Sequence, residues 1–181
     1  GRVELTSGRM AVVVAGDLVL GALGDRHATL EACGSYRAVG DDLAMEMLTA
    51  AGLMGAATSV SFWLPPLLPL RYRGHVLRGA RPLRMRDFVP PAGPVEAWRV
   101  PTILIVGTSM SAGKTTAGRV LVRALVRRGL RVAAAKLTGA GRYRDVLSMG
   151  DAGAQVIFDF VDVGLPSSIA PPEDYRRNLR H

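Results

Sequence analysis

The chain has 181 residues, of which 49% are hydrophobic and 21% charged, with a formal net charge of +8. That is ordinary globular chemistry, long enough for one domain of common size or two small ones. Cys33 stands alone, which excludes an internal disulfide or a zinc cluster, and the separated His27, His75 and His181 argue against a histidine metal site or a Ser-His-Asp triad.

Val12-Val13-Val14 and Leu18-Val19-Leu20 flank Gly16-Asp17, a pattern that predicts a tight hairpin. Asp41-Asp42 followed by Leu43, Met47, Leu48 and Ala51, closed by Gly52, predicts a helix of about ten residues with an acidic cap. Further strands are expected over 58–62, 70–72, 75–77 and 82–85, with Met45, Met47 and Met54 as core filler. Phe62 to Pro69, Phe-Trp-Leu-Pro-Pro-Leu-Leu-Pro, reads as a proline-shaped connection whose Trp63 and leucines fill the core, with an exposed docking loop as the other reading. It is too short to span a bilayer, no amino-terminal signal pattern precedes it, and a cytoplasmic protein without a membrane partner is expected.

Asp87 to Pro101 holds Pro90, Pro91, Pro94 and Pro101 together with Gly93, a composition that interrupts helix and sheet alike. It divides the chain into a small β-rich unit with one helix, residues 1–87, a linker, 88–100, and a second unit, 101–181. The second unit opens with the apolar run Thr102 to Val106, of the kind found in strands buried on both faces. Residues 107–116 follow: Gly107, Thr108, Ser109, Met110, Ser111, Ala112, Gly113, Lys114, Thr115 and Thr116. A glycine-bounded loop between a strand and a helix, ending in Gly-Lys-Thr, cradles phosphate with its backbone N–H groups. Its lysine reaches the outer phosphates and its threonine hydroxyl holds Mg²⁺. Ala117, Val120, Leu121, Ala124 and Leu125 recur at helical spacing after it, Arg119, Arg123 and Arg127 form a stripe on another face, and Gly129 stops the helix. A short strand over 131–136 ends at Lys136, which falls at the ligand edge of a parallel sheet, and Thr138, Gly139 and Gly141 make a turn beyond it. Gln155 to Phe158 gives a third strand ending in Asp159, and Pro171-Pro172-Glu173-Asp174 marks a helix start.

Gly107-Thr108, four residues, then Gly113-Lys114-Thr115 resembles the loop of dethiobiotin synthetase and of the cobyric and cobyrinic acid amidating synthetases. A lysine ending the second strand and soon followed by glycine in that family is similar to Lys136 and Gly139. The resemblance implies ATP, Mg²⁺ and a small carboxylate or amine substrate, with Lys114 and Lys136 as the catalytic lysines. The partitioning and division-site ATPases carry a second lysine where this chain has Ser109, which disfavours that subclass. The loop, Lys136-Leu-Thr-Gly-Ala-Gly141 and Asp151-Ala-Gly-Ala154 also resemble a sparsely characterised bacterial family that joins a small N-terminal domain to a P-loop domain. Some of its relatives are described as D-amino-acid N-acetyltransferases.

For the metal, Thr115 with one carboxylate suffices, because a phosphate-bound Mg²⁺ keeps several waters. Asp145 is the chosen carboxylate, Asp151 its competitor, and Asp159 reads more simply as the end of a buried strand. The expected fold is therefore α/β: a small, mainly antiparallel β unit followed by a parallel-sheet P-loop NTPase domain. Three strands are fewer than such a domain needs, so truncation at the C-terminus is expected. The expected function is an ATP- and Mg²⁺-dependent enzyme of synthetase or ligase type. A nucleotide-dependent regulatory or assembly protein is the rival, and an N-acetyltransferase-like enzyme that retains the loop is a third reading. The basic residues include just two lysines, Lys114 and Lys136, so the charge reads as an arginine bias rather than a nucleic-acid patch, and a nucleic-acid partner is disfavoured. A homodimer is compatible with all three readings.

Overall fold

A computed structural model of the chain describes residues 1–91, 93, 99–108, 112–139 and 141–178. The strands β1 (Arg2–Glu4) and β2 (Met10–Val12) form an antiparallel hairpin, closed by Gly8 at φ 77°. A larger sheet follows, built from β3 (Ala22–Leu23), β4 (Asp25–His27), β5 (Ala32–Ser35), β6 (Ala44–Thr49), β7 (Leu53–Val60) and β8 (Leu68–Arg71). Its order is β4-β5-β7-β6-β8, antiparallel throughout, with β3 added in parallel against β7. The expected β-rich, mainly antiparallel N-terminal portion is present.

Two expected elements there are not. Residues 41–51 contain no helix; Leu43, at φ 58°, closes a turn that Asp42 caps by accepting the N–H of Ala44, and β6 follows. Leu43, Met47, Leu48 and Ala51 fit a helical face, but Met45 and Met47 alternate with Glu46 at the strand period. Pairing with β7 on one side and β8 on the other decides between the two patterns. Met45, Met47 and Met54 form the core of that face, as expected of filler, with Val3, Leu68 and Leu70 packed against them. Nor does the hairpin over 12–20 form, because Val12 pairs with Arg2 of β1. Asp17 instead closes a turn by accepting the N–H of Val14, and Leu18 and Leu20 are exposed.

Phe62 and Trp63 are 89% and 87% exposed, stacked edge to face with ring centroids 5.4 Å apart. The core-filling role expected of Trp63 is thereby overturned: the pair sits in an exposed turn, where Leu64 N–H donates to Ser61 C=O at 3.0 Å. Cys33 is a free, half-buried thiol on β5. The strands β9 (Leu77–Arg78) and β10 (Arg81–Pro82) form a short exposed hairpin, followed by a 3₁₀ turn over Met85–Phe88.

The remaining elements are α1 (Lys114–Val126), β11 (Ala133–Lys136), α2 (Tyr143–Asp151), β12 (Val156–Asp159) and α3 (Pro172–Asn178). Gly129, at φ 80°, ends the α1 region while Leu130 N–H returns to Leu125 C=O at 3.2 Å. The strands β11 and β12 pair in parallel, with α2 in the connection between them. Val122, Ala134, Met149 and Ala152 form the core where α1 and α2 cover one face of this pair. Val156 and Phe158 on β12 remain substantially exposed.

The segment 102–106 differs from expectation: it joins no described ladder, and Ile103, Leu104 and Val106 are exposed, Leu104 by 71%. Its apolar run is a strand signal, yet a strand exists only where a neighbour offers its backbone, and among the described residues none does. Ile105 nevertheless packs toward α1, where a methyl added to Gly118 would lie 3.6 Å from its Cδ1. The tighter neighbour at Gly118 is Met149, whose Cε would lie 3.2 Å from that methyl. No helix among the described residues is long and apolar enough to cross a membrane.

Candidate functional site

The phosphate-loop pattern becomes geometry at Gly113. This residue sits at φ 80°, ψ 7°, a left-handed conformation that glycine adopts without steric cost, and it is the N-cap of α1. Its carbonyl accepts the N–H of Ala117 at 2.8 Å, so the helix begins at once. Lys114 and Thr115 are then the first two helical residues, where N–H groups lack helical partners and the dipole favours negative charge. The Lys114 side chain bends back over the loop: a methyl on Gly107 would lie 3.1 Å from its Cγ and Cδ and 3.4 Å from Nζ. Glycine at 107 therefore makes room for the lysine stem. Thr108, Ala112 and Gly113 are exposed, Thr115 is half-buried and Thr116 is exposed. Ser109, Met110 and Ser111 of the expected cradle lie outside the described residues.

Lys136 ends β11, opposite Asp159 at the last rung of the parallel pair. Its ammonium forms an ion pair with Asp145 of α2, both side chains being largely buried. Gly139 lies beside it at φ 104°, a conformation that favours glycine, and a methyl there would make only ordinary contact, 3.5 Å, with Lys136 Cε. Two contacts fix the turn beyond: Ser168 Oγ accepts the N–H of Gly139, and Tyr175 of α3 donates its hydroxyl to Leu137 C=O at 2.7 Å. Burial raises the Tyr175 phenol above its ordinary pKa.

The three candidate carboxylates differ in surroundings. Asp145 lines the same cleft as Gly107, Lys114, Thr115 and Lys136. Asp151 is exposed at the end of α2. Asp159 is buried and turned into its own loop, where its Oδ1 accepts the N–H of Val161 at 2.7 Å while its N–H donates to Asp162. Burial holds its pKa above the ordinary carboxylate value, against the opposing backbone hydrogen bond and the Lys136 charge. Among the described residues no three His, Cys, Asp or Glu side chains gather into a metal cluster. Thr115 and Asp145 are hard oxygen donors on one cleft, a fit for Mg²⁺ that brings its phosphate and water ligands with it.

The cleft has a volume of about 2240 Å³. This exceeds the roughly 300–1,000 Å³ of a drug-sized pocket, and the cleft is broadly open to solvent. Its far wall comes from the N-terminal portion, including Arg2, Met10 and Leu48. Two residues that sequence reasoning did not single out matter here. Arg142 stands just before α2, and Glu4, on β1, meets it: Glu4 Oε1 accepts the N–H of Arg144 at 2.9 Å and Oε2 lies 3.6 Å from Arg142 Nε. Partners 140 residues apart leave no local signal.

No curated protein and no solved structure matches the chain. Residues 91–149 match the model of a family described as "Domain of unknown function (DUF1611_C) P-loop domain". The match spans the loop, α1, β11 and the first part of α2, and supports reading this stretch as a P-loop domain of a kind suited to nucleotide binding.

Proposed function

We propose that the chain is an ATP- and Mg²⁺-dependent enzyme of synthetase or ligase type, acting on a small carboxylate that it activates by phosphoryl transfer. The carrying observation is that Lys114, folded over Gly107 at the start of α1, shares one cleft with Lys136 and Asp145. The loop amides and Lys114 would neutralise charge on the transferring phosphoryl group, which is most of what catalysis of this reaction requires. Thr115 and Asp145 would hold Mg²⁺, which supplies charge neutralisation between the outer phosphates. Lys136 would orient the substrate carboxylate for attack on the γ-phosphorus. That attack forms a carboxyl O–P bond and breaks the bond to ADP. An amine then attacks the acyl carbon, phosphate leaves, and the amine proton passes to solvent. The chemistry suits a cytoplasmic protein.

Nucleotide titration of the full chain tests the reading. Lys114→Ala should weaken binding of ATP with Mg²⁺ by roughly 10- to 100-fold, the worth of one charge-assisted hydrogen bond; unchanged affinity would remove the phosphate-loop assignment. Phosphate release that requires a small carboxylate and an amine supports the synthetase reading. The exposed Phe62–Trp63 pair favours a second reading, a nucleotide-dependent regulator, in which a protein partner stimulates turnover instead.

A further inference from the structure

Glu4 is a carboxylate with a 2% exposed side chain, held by its partners across the cleft wall. Its own N–H donates to Ala50 C=O at 2.7 Å, which ties it to the large sheet. Its Oε1 caps the N–H of Arg144 at the start of α2. The guanidinium of Arg142 is gripped from both strands of the hairpin, since Nη2 also lies 3.7 Å from Met10 Sδ on β2. At the hairpin turn, Gly8 rests on α2, with room for a methyl only 2.8 Å from Leu147 Cδ1. Burying a carboxylate is costly unless it is paired and hydrogen-bonded. Yet Glu4 Oε2 and Arg142 Nε face each other at 3.6 Å, both buried and neither with a hydrogen-bond partner among the described residues. A small shift of the start of α2 would close that gap, and the next residue along after Arg144 is Asp145, the partner of Lys136.

We propose that Glu4 is a positioning residue. It sets where α2 begins and, through Asp145, where Lys136 is held, so that nucleotide occupancy at the loop and order in the β1–β2 hairpin are linked. This rests on the nucleotide-binding reading above. Linkage of this kind is reciprocal: whatever the hairpin contributes to the site, occupancy returns to the hairpin.

The test uses the full chain, a fluorescent methylanthraniloyl derivative of ATP with Mg²⁺, and backbone hydrogen exchange. The probe should slow exchange over residues 2–12 in the unaltered chain. In Glu4→Gln, which keeps the shape and removes the charge, that slowing should vanish and affinity should fall by roughly fivefold or more. A purely structural ion pair would change thermal stability without making hairpin exchange depend on the probe. The proposal is overturned if the unaltered chain binds the probe while exchange over 2–12 stays the same, or if Glu4→Gln binds with full affinity and keeps the slowing. Failure of the unaltered chain to bind the probe removes the nucleotide reading and this proposal together, which tells the two failures apart. Should Glu4→Gln not fold, the exchange comparison on the unaltered chain decides alone.

Discussion

Lys136 faces Asp159 across the last rung of the parallel pair β11–β12, while its ammonium is taken by Asp145 from α2. One cation thus serves two carboxylates, one at the cleft and one turned into a buried loop. Lys136→Met should lower stability by about 1–3 kcal/mol at neutral pH, because partly buried carboxylates are left without their counter-charge. Urea denaturation at pH 7 and pH 4 checks the cause: the loss should shrink at the lower pH as Asp159, whose pKa burial raises, takes up its proton, and an equal loss at both would point to packing instead.

Asp159 titrates in the opposite sense to most aspartates in folded proteins. Its folded pKa is raised by burial, so the folded state binds the proton more tightly than the unfolded chain does. Its contribution is fully present below the ordinary aspartate value and is lost as pH rises through the raised one. Asp159→Asn, which keeps an acceptor for Val161 N–H, should flatten that part of the pH–stability curve and leave neutral-pH stability equal or higher. Asp159→Ala removes the acceptor as well and should cost about 1 kcal/mol. Parallel acid curves for the original chain and the asparagine variant would refute the assignment.

Gly107 and Gly113 should fail for different reasons when changed to alanine. At Gly113 there is open space but φ is 80°, so the cost is backbone strain of roughly 1–2 kcal/mol. At Gly107 the methyl meets the Lys114 stem, so the lysine must move and ATP affinity should drop while stability is nearly kept. Calorimetric titration beside thermal melting separates the two, and affinity unaffected by Gly107→Ala would contradict the placement of Lys114.

Trp63 should behave as a surface residue. In a Trp98→Phe background its fluorescence should be readily quenched by acrylamide, and Trp63→Ser should change stability by no more than about 0.5 kcal/mol. A loss of several kcal/mol would mean that the loop is packed after all.

What could be read from the sequence was what depends on neighbours along the chain. The helix after the loop, its stop at Gly129, the strand ending at Lys136 and the strand ending at Asp159 all follow from local spacing and are found where expected. The strand β6 was illegible because Met45 and Met47 fit the strand period while Leu43, Met47 and Leu48 fit the helical one; only pairing with β7 and β8 selects between them. The run over 102–106 shows the converse, a strand signal whose partner no local pattern can supply. In the site, Lys114 and Gly113 were legible from a motif. The Lys136–Asp145 pair was legible only as two separate candidates, and the bond between Glu4 and the start of α2 had no trace in the sequence at all.

The distance between Glu4 and Arg144 also orders events during synthesis. Glu4 is made 140 residues before the N–H of Arg144 that donates to it. At roughly 5–20 residues per second, that is an interval on the order of ten seconds or more. Through that interval the carboxylate stays hydrated and the hairpin undocked, since an unpaired charge opposes burial. The N-terminal sheet can pair its strands early, but the wall it contributes to the cleft closes only after α2 has emerged. The β1–β2 hairpin, made well before α2, reaches its final place only after it.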